Sequence, residues 1–141
     1  MPRRLRTYLI AEGVSYSHHP HHRNGHNQKS QWTIQELEER SVFENALHEG
    51  WGSQFCLWGL HRPDNIIEYL GSSASVCGHR DLFVAKFVNK NGQNSWHGYP
   101  ADHQRTKYDI PDTQVLNTWM QSGLLSAPKI RKIMSQQPCS L

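Results

Sequence analysis

The chain has 141 residues, enough for one domain with a continuous core and too few for two ordinary ones. Hydrophobic residues make up 36% and charged residues 19%, and no run approaches the roughly 20 apolar residues that span a bilayer, so no membrane partner is expected. A formal charge of +3 with ten histidines admits an anionic partner such as nucleic acid without requiring one, and makes surface charge responsive to mild acid.

The opening MPRRLRTYLIAEG is arginine-rich and has no acid before Glu12, as in organellar transit peptides, but it leads directly into sequence that reads as folded protein. Residues Thr7 to Val14 predict a short strand, with β-branched and aromatic residues running into a glycine. Residues 15–31, SYSHHPHHRNGHNQKSQ, predict a flexible polar loop. Its His18, His19, His21, His22 and His26 offer imidazoles to a divalent ion, but no acidic or cysteine ligand fixes a geometry, so no metal and no other cofactor is expected.

Thr33 to Glu36 has the spacing of a capping box, with Trp32 and Leu37 as a hydrophobic staple. A helix is therefore predicted to about Glu49, burying Leu37, Phe43, Ala46 and Leu47 and ending at a left-handed Gly50. Trp51 to Leu60 predicts a buried strand or a closely packed crossing segment, and Pro63 a short helix, PDNIIEYL, closed at Gly71. Cys77 and His79, taken with Cys56 and His61, lack the CxxC or HxxxH spacing of a zinc site. Three scattered cysteines, Cys139 being the third, argue for reduced thiols in a cytoplasmic setting over a secreted disulfide framework.

Leu82 to Val88 is the strongest strand signal, and Asn91-Gly92 marks a reversal into a return strand from Ser95 to Tyr99. Alternation puts His97 and Tyr99 on one face and Trp96 and Gly98 on the other, and Pro100 is expected to end the pairing. Pro111-Asp112 starts a helix with a stripe of Val115, Leu116, Trp119 and Met120, stopped by Gly123. Ser126 caps a second helix, APKIRKIM, which buries Ile130 and Ile133 and turns Lys129, Arg131 and Lys132 outward; residues 135–141 are expected to fray. This pair has the outline of a helix-turn-helix, but Trp119 occupies the place where a close crossing needs a small residue, so a plain αα-hairpin with a solvated cationic face is expected.

These elements predict a single α+β domain over 1–141: a small, mainly antiparallel sheet centred on the Leu82–Tyr99 hairpin, covered by the long helix and the C-terminal helical hairpin. The hairpin exit, NSWHGYPADH, concentrates the chemistry. His97, His103 and Tyr99 supply candidate acid and base groups, with Asp102 as an orienting carboxylate and Arg105 and Lys107 as nearby cations. One reading is a cytosolic domain interacting with RNA or single-stranded DNA. In it, Trp96 or Tyr99 stacks on bases, while Arg105, Lys107, Lys129, Arg131 and Lys132 contact phosphates. His97 and His103 then form the proton-transfer pair if phosphodiesters are cleaved without a metal. The other reading is a non-catalytic protein-interaction module whose partner covers the Trp96–Tyr99 surface. P-loop, GxGxxG, HExxH, GxSxG and EF-hand patterns are all missing from the sequence.

Overall fold

The computed structural model describes residues 6–141, so the first residues of the arginine-rich opening lie outside the described residues. In chain order the main elements are β1 (Arg6–Ala11), β2 (Val14–His18), β3 (Gln31–Trp32), α1 (Glu36–Glu49), β4 (Cys56–Leu60), β5 (Gly71–Ser72), β6 (Asp81–Leu82), β7 (Val84–Asn89), β8 (Ser95–Ala101), α2 (Thr113–Gln121) and α3 (Ala127–Met134). A five-stranded sheet has the order β1-β2-β8-β7-β4, and a three-stranded one the order β3-β5-β6. The fold is α+β. Only the β2–β8 pairing in the larger sheet is parallel; the other three pairs are antiparallel.

The expected hairpin is the centre of this sheet, with β7 and β8 joined by a tight turn in which Asn91 and Gly92 take positive φ. Pro100 does not end the pairing, which continues through Ala85–Pro100 to Val84–Ala101. Pro100 is held from two sides: its carbonyl accepts the Ser30 hydroxyl at 2.7 Å, and its ring packs so closely on Gly71 that a Cβ there would fall 2.3 Å from Cγ.

Helix α1 covers one face of the sheet. Phe43, fully buried, meets Tyr16 of β2, Phe87 of β7 and Trp96 of β8 at centroid distances of 4.8, 5.3 and 5.6 Å. Burying a ring of this size stabilises a fold by about 1.5–3 kcal/mol relative to leaving it in water. The helix begins later than its capping pattern suggests. The Thr33 amide is bonded to the Leu70 carbonyl, which draws Thr33 into the smaller sheet, and Gln35 takes the cap position with its amide donating to Glu38 Oε1 at 3.1 Å. Leu37 is consequently exposed and makes no staple with the buried Trp32.

The stretch after Pro63 is not a helix. Asp64 and Asn65 adopt positive φ and stop the turn, after which Glu68 and Leu70 donate amides to His61 and Leu82 in extended pairings. The C-terminal helices follow expectation, with the Ser126 hydroxyl capping α3 and Val115, Leu116, Trp119, Ile130 and Ile133 joining the main core. Met120 is partly exposed, and the tail, expected to fray, is largely exposed but touches the core at two residues. Cys139 and Leu141 pack against the core, and Lys129 Nζ donates to the Leu141 carbonyl. Among the described residues no helix is long and apolar enough to cross a membrane.

Candidate functional site

The histidine tract is a loop only in part. Residues 14–18 form β2, and its parallel register beside β8 sets Tyr16 against Trp96 and Ser17 against His97. Side chains alternate along strands, so Tyr16 and Trp96 enter the face under α1 while Ser17, His97 and Tyr99 share the opposite, outer face. Pro20 then opens a short 3-10 turn, Pro20–His22, that crosses over β8. The His22 ring stacks on Tyr99 with centroids 5.1 Å apart, and the His19 ring lies 6.1 Å from His97. His22 Nδ1 is 2.8 Å from the Ser30 carbonyl, and His19 Nδ1 accepts the His21 amide at 3.3 Å.

Buried charge anchors this turn to the helix. Glu39, fully buried, accepts Arg23 Nε and Nη2 at 3.1 and 2.7 Å through Oε1, and the Tyr16 hydroxyl through Oε2. His18 Nδ1 lies 3.0 Å from the same Oε2, off the line of a good hydrogen bond. Burial first, then the Glu39 charge and hydrogen bond, hold the Tyr16 phenol well above its ordinary pKa. His18 is thus a buried strand residue, unavailable to a ligand.

Two clefts open on the outer face. One, of about 330 Å³, is lined by His22, Lys29, Ser30, Tyr99, Asp102, Arg105, Tyr108 and Asp109 among others. The second, of about 450 Å³, is lined by Thr7, Ser17, His19, Lys90, Ser95, Trp96 and His97. Both carboxylates of the first cleft are committed. Arg80 grips Asp102 through two bonds of 2.9 and 2.8 Å, and Asp109 accepts the Tyr99 hydroxyl at 3.0 Å and the Asp102 amide at 2.9 Å. Lys29 and Arg105 at the rim therefore set the sign of the free charge.

The titration of these groups follows from burial. Desolvation lowers His22 to about 4 against the partly compensating Ser30 bond, with His19, Lys29 and His97 lowering it further. Burial also lowers His97, helped by the charges of His19 and Lys90, and lowers His19, helped by His21 and Lys29. Tyr99 is raised by burial and then by Asp109, and Asp109 is raised by its own burial against the bonds it accepts. Among the described residues no group of three or more His, Cys, Asp or Glu side chains is placed to hold a metal ion.

The residues nominated from sequence are distributed unevenly. His97 lines the larger cleft and Tyr99 the smaller, but Tyr99 is covered by His22 and tied to Asp109. His103 is elsewhere: its Nε2 pairs with the Gln137 carbonyl, and Gln136 donates to the His103 carbonyl. Five residues of mostly extended chain separate it from His97, on the order of 15–20 Å, so the two do not form a proton-transfer pair. Trp96 is 3% exposed and packs on Phe43, which removes it as a stacking surface. Arg105 lines the smaller cleft, its Nη1 donating to the Gln28 carbonyl, and Lys107 sits over the Tyr108 ring at 5.5 Å. Lys129, Arg131 and Lys132 line neither cleft.

Sequence reasoning missed Lys29, Lys90 and Tyr108, and read His19 only as a possible imidazole for a divalent ion. Tyr108 was open to detection as an aromatic flanked by Lys107 in a polar stretch, and Lys90 as a cation in the hairpin turn beside His97, whereas the place of His19 depends on the β2–β8 pairing. Comparison of the chain with protein-family models, with curated proteins and with solved structures found no match.

Proposed function

We propose that the chain is a cytosolic domain that binds single-stranded nucleic acid, RNA or DNA, across the outer sheet face. The supporting observation is Tyr108. It is 71% exposed, yet its backbone is pinned at the mouth of the smaller cleft: Lys86 Nζ donates to its carbonyl at 2.6 Å and its amide donates to Thr106 Oγ1 at 3.2 Å. Single-strand binding combines aromatic faces that stack on bases with cations that follow the phosphates. Tyr108 supplies the face, and Lys29, Arg105 and Lys107 supply the cations, beside carboxylates already neutralised within the protein. A cytosolic setting suits three unpaired thiols.

The test is fluorescence anisotropy with labelled single-stranded RNA and DNA over a salt series. Binding should weaken steeply with salt, by about 0.7 in the logarithmic slope for each phosphate contact. Tyr108→Ala, on an exposed side chain, should lower affinity by about 1–3 kcal/mol for each base it stacks, leaving thermal stability unchanged. Lys29→Ala should flatten the salt slope. Binding that ignores salt, or that Tyr108→Ala leaves intact, rejects the reading. The protein-module alternative has less to support it, since within Trp96–Tyr99 the Trp96 ring is in the core and the Tyr99 ring is under His22.

A further inference from the structure

The larger cleft holds a second histidine that the hairpin alone does not supply. His97 is half-buried on its floor, and among the described residues no protein group hydrogen-bonds either of its ring nitrogens. Its nearest ring is His19, 6.1 Å away and tilted by 46°. Two hydrogen bonds of about 2.8 Å to different oxygens of one phosphate cover about that span. His19 Nδ1 accepts the His21 amide over a long 3.3 Å, a bond that yields when the ring takes its second proton, and Nε2 of the resulting imidazolium is then its free donor. Lys90 lines the same cleft with the hydroxyls of Ser17 and Ser95, and among the described residues no carboxylate lines it.

We propose that this cleft cleaves RNA by transphosphorylation, with His97 as general base, His19 as general acid and Lys90 as the cation beside the reacting phosphate. This deepens the preceding reading and rests on it. His97 takes the proton of a ribose 2′-hydroxyl, and the 2′-oxygen forms a bond to phosphorus. The bond from phosphorus to the 5′-oxygen of the next nucleotide breaks, and that oxygen receives the proton from His19. The products are a 2′,3′-cyclic phosphate and a 5′-hydroxyl end, with no oxidant, water or other reactant consumed. The nucleophile belongs to the substrate, so positioning and two proton transfers suffice. DNA has no 2′-oxygen and is bound without reaction.

The surroundings of the pair set its pH response. His97 faces His19 and Lys90, and His19 faces His21, His22, Lys29 and His97; burial and these cationic neighbours lower both rings from their ordinary value. The base must be neutral and the acid protonated, so the profile of kcat/KM should be a bell centred on the acid side of neutrality.

The experiment uses an oligodeoxynucleotide carrying one ribonucleotide, its all-deoxy counterpart, and a chelator throughout, with anisotropy and mass spectrometry on the same samples. Both strands should bind, and only the first should be cut, at the ribose, leaving a cyclic phosphate. His97→Gln and His19→Gln should each lose about 100- to 10,000-fold in rate while melting like the parent protein. A ribonucleotide ester with a nitrophenolate leaving group needs no acid, so it should restore His19→Gln but not His97→Gln. Binding without cleavage, cleavage of the all-deoxy strand, cleavage abolished by the chelator, or cleavage surviving in His97→Gln overturns the proposal and leaves the binding reading in place. Failure of both strands to bind overturns both.

Discussion

The His22 imidazole lies nearly flat on the Tyr99 phenol, 15° from parallel, while its Nδ1 faces the Ser30 carbonyl. This contact holds the histidine turn against β8 and makes the turn sensitive to protons. Lowering of the folded His22 to about 4, from an ordinary 6.5, means that the unfolded chain takes up the proton first as pH falls. Stability from this group is complete above 6.5 and declines through the window down to about 4, by at most about 3 kcal/mol. His19 and His97 act in the same direction, and Asp109, whose folded carboxyl holds its proton more tightly, acts against them. Urea midpoints measured between pH 7 and 4.5 should fall with acid, and fall less in His22→Asn.

Tyr99→Phe keeps the ring under His22 and removes the hydroxyl from Asp109. A hydrogen bond to a charged acceptor contributes about 1.5–3 kcal/mol, and Asp109 also anchors the Asp102 amide. A loss of about 2 kcal/mol in denaturant unfolding is expected, with the circular dichroism of the folded state unchanged.

Glu39→Gln leaves the largely covered Arg23 without its counter-charge, and the expected cost is up to about 3 kcal/mol. Replacing both residues with hydrocarbons, as Glu39→Leu with Arg23→Met, should cost less than the single change, because no stranded charge remains. Chemical denaturation of the two variants compares them directly.

Gly98→Ala tests the closest packing at the site. A Cβ there would lie 2.2 Å from Phe87 Cδ1 and 3.0 Å from the Lys86 carbonyl, and Phe87 is itself wedged between Phe43 and Tyr16. Overpacking of this kind costs about 1–3 kcal/mol or more, and the melting temperature should drop accordingly.

Much of this fold is written in short-range patterns. The β7–β8 hairpin, both C-terminal helices and the left-handed Gly50 follow from alternation, caps and turn residues. Where the expectations failed, distant partners intervened. Thr33 lost its capping role to the Leu70 carbonyl, and the tail is held at points by His103 and Lys129. Glu39 carried an unread signal: a carboxylate four residues before the buried Phe43 on one helical stripe implies a buried partner. The site was half legible for the same reason. His97 stood out locally, whereas His19 reaches it only through a parallel pairing that no turn announces.

That pairing joins Ser15 to Ser95, across most of the chain. Parallel strands need a long connection, and loop-closure entropy grows with its length, by about 0.6 kcal/mol for each doubling. Contacts of such high sequence separation form late, after local hairpins and helices have condensed. A chain still emerging from the ribosome, or one cleaved within the first strands, therefore carries His97 and His19 as strangers. The cleft exists only where the two strands of the sheet's long-range pair have met, so the two histidines are joined by tertiary structure and not by any local element.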